Sequence, residues 1–116
     1  MALNKRGFLA QGKTILVSAA NPAPADAQAA NYQSAALDVG IQARLHNAGP
    51  NLAFVAFALT QGAAKAAADA AISGFPASVI ALPVGAIEVL TAGQNAWWSA
   101  SSTGTASVYI TPGDGL

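Results

Sequence analysis

Short runs rich in β-branched and aromatic residues recur along this chain of 116 residues, and most of them end at glycine, proline or asparagine. Such runs are typical of strands bounded by turns. No alternation of strands with long helical patterns is visible, which argues against a parallel α/β sheet. We therefore predict an all-β fold, a small antiparallel β-sandwich of jelly-roll-like type with seven or eight short strands. The runs are "TILVSA", "IQARLHN", "LAFVAFALT", "ASVIAL", "GAIEVLTAG", "AWWSASS" and "ASVYITP".

Two pairs of neighbouring runs predict antiparallel hairpins. The run 41–47 alternates apolar and polar residues, and the turn-like "NAGPN" joins it to the apolar run 52–60. We expect the second of these strands to be central or covered on both faces. The runs 96–102 and 106–112 flank a second turn, in which we expect Gly104 to adopt a positive φ.

The segment "QGAAKAAADAAISG" combines a strand-rich context with the best helix-forming residue, alanine. Lys65 and Asp69 stand four residues apart, a spacing that supports a helix. An isolated helix this short is marginally stable in water. We predict one or two helical turns, or a compact loop, that connects strands across the two sheets.

The length allows one domain, which we place at residues 14–116. Residues 1–13 are predicted to form an extended N-terminal arm that precedes any clear strand and suits docking onto another subunit. A signal peptide is the weaker alternative, because Gln11 and Lys13 interrupt the apolar stretch. The arm contributes four candidate interface residues: Lys5, Arg6, Phe8 and Leu9.

The surface is predicted to be nearly uncharged. Charged residues make up 9% of the chain, alanine supplies 30 residues and the formal net charge is zero. Average soluble domains have roughly 25% charged residues. The absence of a basic cluster argues against nucleic acid as a partner, and the apolar runs are too short or too interrupted to span a membrane. A neutral protein of this kind is prone to associate with itself.

No residue pattern predicts chemistry. The chain lacks cysteine, and its single histidine, His46, has no nearby histidine or thiol in the sequence to complete a metal site or a catalytic pair. The glycines lack the spacing of a nucleotide-binding loop, and no acidic residue lies in a catalytic motif. We therefore predict a protein that is not an enzyme, with no catalytic, cofactor-binding or metal-binding residues.

Trp97 and Trp98 are adjacent in a predicted strand and must point to opposite faces of it. One ring can fill the core, while the other is either covered by loops or buried in an interface. On this basis we expect a homo-oligomer, a trimer or a dimer, with Trp97, Trp98 and Tyr109 as further interface candidates. The predicted core contains one tryptophan and Leu16, Ile41, Leu45, Val55, Phe57, Ile87, Val89, Val108 and Ile110.

Three segments, "IQARLHNAGPNLAFVAFA", "LPVGAIEVLTAG" and "SSTGTASVYITPGDG", together resemble small virion proteins of tailed bacteriophages. The resemblance covers roughly residues 41–115 and rests on turns and strands. It implies a capsid cement or decoration protein, assembled in the host cytoplasm, that binds the major capsid protein on the surface of the virion. A tail, baseplate or head-tail accessory protein is an alternative, and a bacterial surface or pilus-type module would share the same composition. A carbohydrate-binding sandwich, with the outward tryptophan and Tyr109 as stacking platforms, is another.

Overall fold

The computed structural model describes residues 9–10, 12–30, 42–72, 79–93 and 95–114. Within these residues the chain forms nine strands and one helix. Two of the strands, β1 and β3, have only two residues each, and the other seven match the predicted strand runs. The elements are β1 (Leu9–Ala10), β2 (Ile15–Ala19), β3 (Ala27–Gln28), β4 (Gln42–Pro50), β5 (Ala53–Ala58), α1 (Ala63–Ile72), β6 (Ile80–Leu82), β7 (Ile87–Thr91), β8 (Trp97–Ser101) and β9 (Ala106–Asp114).

The strands form two antiparallel sheets that pack face to face, which confirms the predicted β-sandwich. The larger sheet has five strands, in which β1 and β2 both pair with one edge of β9, and β4 and then β7 follow on the other side. The smaller sheet has four strands in the order β3-β8-β5-β6. The strand β5 is therefore internal to its sheet, as predicted.

Neither predicted hairpin exists. The strands β4 and β5 lie in different sheets, and so do β8 and β9. Each of these connections is a corner at which the chain leaves one sheet and enters the other. Gly104, in the second corner, does not have a positive φ. A Cβ at this position would instead clash with the side-chain amide of Asn51, which donates a hydrogen bond to the Thr105 carbonyl at 2.9 Å.

The first corner is organised by Asn47, whose side chain is fully buried near the end of β4. Its Nδ2 donates hydrogen bonds to the carbonyl oxygens of Leu82, at 2.7 Å, and Asn51, at 2.9 Å. Its Oδ1 accepts a hydrogen bond from the backbone N–H of Gly49 at 2.8 Å. A single amide therefore connects the end of β4, the approach to β5 and the end of β6, so it ties the two sheets together.

Alanine dominates the interior. Of the 19 buried hydrophobic residues among those described, 12 are alanine. The larger core side chains include Leu45, Val55, Val108 and Ile110, as predicted, together with Trp98, whose ring lies 5.1 Å from that of Phe57. Phe57 is only partly buried, and Ile41 lies outside the described residues. Three predicted core residues are exposed instead: Leu16, Ile87 and Val89.

The alanine-rich segment forms a ten-residue helix, α1, which is longer than predicted. It connects β5 to β6, which are neighbours in the four-stranded sheet, so the prediction that it links the two sheets is wrong. The helix packs on β5 and β8 from outside the sandwich, where Ala64 and Ala68 contact Ala56 and Ala23 in a second small core. Alanine suits this position because small side chains allow the helix to approach the sheet closely.

Part of the predicted N-terminal arm belongs to the sheet. Leu9 and Ala10, which form β1, pair with Asp114 and Gly113 of β9. The arm therefore does not precede every strand. Residues 1–8, with Lys5, Arg6 and Phe8, lie outside the described residues.

Candidate interaction surface

The outward side of the five-stranded sheet carries a row of large side chains that crosses four strands. Leu16 of β2 is opposite Tyr109 of β9, Tyr109 is opposite His46 of β4, and His46 is opposite Ile87 of β7. Directly opposed residues in neighbouring strands share a face of the sheet. We call these four residues the apolar row. Its span of three strand spacings is about 15 Å.

A second row lies beside the apolar row on the same side of the sheet. It contains Thr14, Thr111, Arg44 and Val89, and the hydroxyls of Thr14 and Thr111 are 2.6 Å apart. The two rows together define what we call the open face. Leu16, Ile87, Val89 and Tyr109 are 51%, 50%, 47% and 40% exposed, respectively.

The open face is almost free of charge. Arg44, near its centre, is exposed and is the one permanently charged side chain among the described residues of the two rows. The only ion pair recorded in the described part of the chain joins Lys65 to Asp69, in α1 on the other side of the molecule. His46 is half-buried and its ring stacks on Tyr109, with ring centroids 6.4 Å apart. His46 therefore occupies a polar strand position on the outward side of β4.

The outward side of the four-stranded sheet is covered. We call it the covered face. Ala56 and Ala58 pack there against Ala23 of the loop 21–26 and the alanines of α1, while Phe54 and Trp97 lie on the same side and are half-buried. Ser101 donates its hydroxyl hydrogen to the carbonyl of Ala68 in α1, at 2.6 Å. Ser99 donates to the carbonyl of Pro24 in the loop, at 2.8 Å. The hydroxyls of Ser99 and Ser101 therefore attach both the loop 21–26 and α1 to the sheet.

Two aspartates connect the loop to the helix. Asp26, in the loop, accepts hydrogen bonds from the backbone N–H groups of Gly62, Ala64 and Lys65 at the start of α1. These donors have no partner within a helix, so a carboxylate there both satisfies them and interacts favourably with the helix dipole. Asp69, in α1, accepts a hydrogen bond from the backbone N–H of Ala23 at 2.8 Å.

Asp69 also accepts a hydrogen bond from Lys65 Nζ at 2.8 Å, as their spacing predicted. This bond, and then the one from Ala23, lower the pKa of Asp69 below its ordinary value of 3.8. Both bonds favour the charged carboxylate. The covered face is therefore fastened by ionised groups at neutral pH.

The two tryptophans point to opposite faces of β8, as predicted. Trp98 is 1% exposed and fills the core, whereas Trp97 is half-buried on the covered face, opposite Ala58 and Gln28. Tyr109 lies on the open face of the other sheet. The predicted carbohydrate platform cannot combine the outward tryptophan with Tyr109, because different sheets carry them. Of the four candidates from the arm, only Leu9 lies among the described residues, in β1.

Sequence reasoning missed the open face because it assigned Leu16, Ile87 and Val89 to the core. The period-two alternation was correct, but the buried side was chosen wrongly in β2 and β7. In β2 the buried residues are Val17 and Ala19, and in β7 the residue packed against the core is Leu90. A strand with apolar residues on both faces gives no local sign of which face is inward.

The described residues contain no group of three or more histidine, cysteine or acidic residues that could hold a metal ion. Among the same residues, no helix has the length and apolar character that a membrane span requires. Comparisons with protein-family models, with curated proteins and with solved structures give no match to this chain.

Proposed function

We propose that this chain is a non-enzymatic structural protein of a virus particle, of the capsid decoration type, and that it docks on the major capsid lattice through the open face. One observation carries the proposal: four large apolar side chains stand exposed together on one sheet face while alanines fill the core. Exposed apolar patches with polar surroundings mark interaction sites in soluble proteins. The resemblance of residues 41–115 to phage virion proteins supports the choice of partner.

The neutral surface fits this role. Decoration proteins bind as many copies on a symmetric lattice, and a formal net charge of zero avoids repulsion between neighbouring copies. Binding to the assembled shell then stabilises the shell by mass action, because the ligand binds one state and not the other. We expect the copies to form dimers or trimers, consistent with the low charge.

The experiment is co-sedimentation of the purified protein with assembled capsid shells of its source virus. Replacing Leu16 and Ile87 with threonine should abolish binding while leaving the fold intact, because both side chains are exposed and threonine favours strands. The matched control is Leu59→Thr, since Leu59 is 73% exposed in the bend after β5, outside the open face. Equal binding by the wild type, the Leu16 and Ile87 variant and the Leu59 control would contradict docking through the open face. Binding to isolated tails but not to shells would favour a tail or head-tail accessory role instead.

Carbohydrate binding is a second candidate, supported by a single observation. Tyr109 is 40% exposed on the outward side of the five-stranded sheet, and exposed aromatic rings can stack on sugars. A glycan-array signal that disappears in Tyr109→Ala but persists in the Leu16 and Ile87 variant would favour this candidate over capsid docking.

A further inference from the structure

We infer that the open face binds a protein surface that is apolar and carries a carboxylate opposite Arg44, and that it does not bind a second copy of this chain. The inference rests on the proposed function, because it names the chemistry of the partner at the same site. Its basis is the position of Arg44 inside an apolar patch, with no ion pair to any of the described residues. Arg44 is opposite Thr111 on one side and Val89 on the other, and its neighbours two positions along β4 are Gln42 and His46.

The guanidinium of Arg44 has no carboxylate partner among the described residues. Glu88, the nearest acidic residue along β7, is opposite Leu45 and therefore lies on the other face of the sheet. The other described residues of the two rows include no aspartate, glutamate or lysine. Within the part of the chain that the structure describes, the open face therefore presents the positive charge of Arg44 without a carboxylate to balance it.

A partner that covers the apolar row also removes water from Arg44. A buried charge is costly unless it is paired and hydrogen-bonded. The guanidinium has five donors in a planar fork that matches a carboxylate, so an aspartate or glutamate in the partner satisfies it best. Charge complementarity of this kind selects the correct partner and fixes its register.

A second copy fits this surface poorly. Two open faces packed about a two-fold axis would bring two Arg44 side chains into one small interface, and neither face supplies a carboxylate among its described residues. The area is also small. The strands β2, β9, β4 and β7 lie side by side only over the rows of Tyr109 and Ile110, so the four-stranded part of the face is about 19 Å by 7 Å, roughly 130 Å² in projection. Each partner in a stable interface buries about 800 Å².

The small area suits a lattice partner. A single contact of this size is weak, but a capsid offers many identical sites, and oligomers of the protein can engage several of them at once. Any contacts between copies of this chain then use a surface other than the open face.

The test measures binding to the capsid shells at several NaCl concentrations for the wild type, Arg44→Met, Arg44→Lys and Arg44→Glu. We expect Arg44→Met to weaken binding at least tenfold, Arg44→Glu to weaken it further and Arg44→Lys to restore part of it. Wild-type binding should weaken as salt rises, and this dependence should be smaller in Arg44→Met. The control is Lys65→Met, which removes an equal charge from α1 and should bind as the wild type does.

Other outcomes distinguish the inference of a carboxylate opposite Arg44 from the proposed docking on the capsid. If Arg44→Met binds like the wild type at every salt concentration, while the Leu16 and Ile87 variant does not bind, the carboxylate inference fails and the proposed function stands. If the wild type does not bind shells, both fail. A second measurement is sedimentation velocity of the protein alone. A dimer that forms in the wild type and is lost in the Leu16 and Ile87 variant would show that a second copy binds the open face. That result would overturn the inference.

Discussion

The outward faces of the two sheets differ in the size of their side chains and in whether other parts of the chain cover them. On the four-stranded sheet the outward alanines and serines are covered by α1 and the loop 21–26, and the aromatic residues on that side, Phe54 and Trp97, are half-buried. On the five-stranded sheet the outward residues include Leu16, Ile87, Val89 and Tyr109, and these side chains stand exposed. The covered face contributes to folding, and the open face is available for a partner. The difference teaches that residue size alone does not indicate burial in this chain.

The largest loss of stability is expected when the side chain that connects the two sheets, that of Asn47, is removed. Asn47→Ala removes both donations of the amide and leaves the N–H of Gly49 and two carbonyls without their partner. Each buried polar group left unsatisfied costs about 1–3 kcal/mol, so we expect a loss of roughly 3 kcal/mol or more in the free energy of unfolding. Urea denaturation measures it. Asn51→Ala, which removes an exposed hydrogen bond to Thr105, should cost only about 1 kcal/mol. Similar losses in the two variants would contradict a special role for Asn47.

A larger side chain at a buried position of the covered face should destabilise the protein. Ala68 is fully buried between α1 and the sheet, so Ala68→Leu overpacks this cluster and should destabilise the protein by about 1–3 kcal/mol. Ala66, two residues earlier in the same helix, is exposed, and Ala66→Leu should change stability by no more than about 0.5 kcal/mol. Thermal unfolding of both variants provides the comparison. If both are tolerated, α1 is not packed on the sheet as described.

Asp26 connects the loop 21–26 to the start of α1. Replacing it with alanine leaves three backbone N–H groups at the start of α1 without their acceptor and should cost about 1–2 kcal/mol. Asp26→Asn keeps an acceptor and should lose less. Hydrogen exchange should localise the change to α1 and leave the five-stranded sheet protected. A uniform loss of protection across both sheets would show that the cover and the sandwich unfold as one unit.

The all-β sandwich and seven of its strands follow from the sequence because short β-branched runs and turn residues act locally. The pairing of those strands does not follow. Neighbouring runs such as 52–60 and 41–47 suggest a hairpin, but the buried amide of Asn47 and the packing of two sheets turn the connection into a corner. Long-range hydrogen bonds of this kind have no sequence signature.

The candidate site was predicted only in part, for a related reason. The sequence analysis names Tyr109 as an interface candidate, whereas the alternating strand pattern places Leu16, Ile87 and Val89 in the core. The core instead uses alanines such as Ala19, Ala43 and Ala100, which composition alone suggests are free to lie on the surface. The face that a strand buries is decided by its partners in the tertiary structure.

Acid should weaken the attachment of α1 to the loop 21–26 through Asp69. The hydrogen bonds from Lys65 and Ala23 lower the pKa of Asp69 in the folded protein, so the unfolded chain binds this proton more readily. The resulting stabilisation is complete above the ordinary pKa of 3.8 and is lost as the pH falls through the lower folded value. Asp69→Asn should therefore be less stable than the wild type at pH 6, by less than 1 kcal/mol because the pair is partly exposed. The difference should shrink below pH 4. A constant difference from pH 6 to pH 2 would exclude ionisation of Asp69 as its cause.

The smallest effect on stability per substitution is expected on the open face. Replacing Leu16, Ile87 and Val89 together with threonine removes apolar surface that is about half exposed in the folded protein. Each substitution should change the free energy of unfolding by about 0.5 kcal/mol or less, because exposed positions contribute little and threonine is well suited to strands. Urea denaturation of the triple variant, compared with Ala68→Leu, tests the difference between the faces directly. If the triple variant loses several kcal/mol, these side chains stabilise the fold and the open face is not a free surface. If it remains as stable as the wild type, the chain keeps three large apolar side chains that its own fold does not need, which is the property expected of a surface that another protein covers.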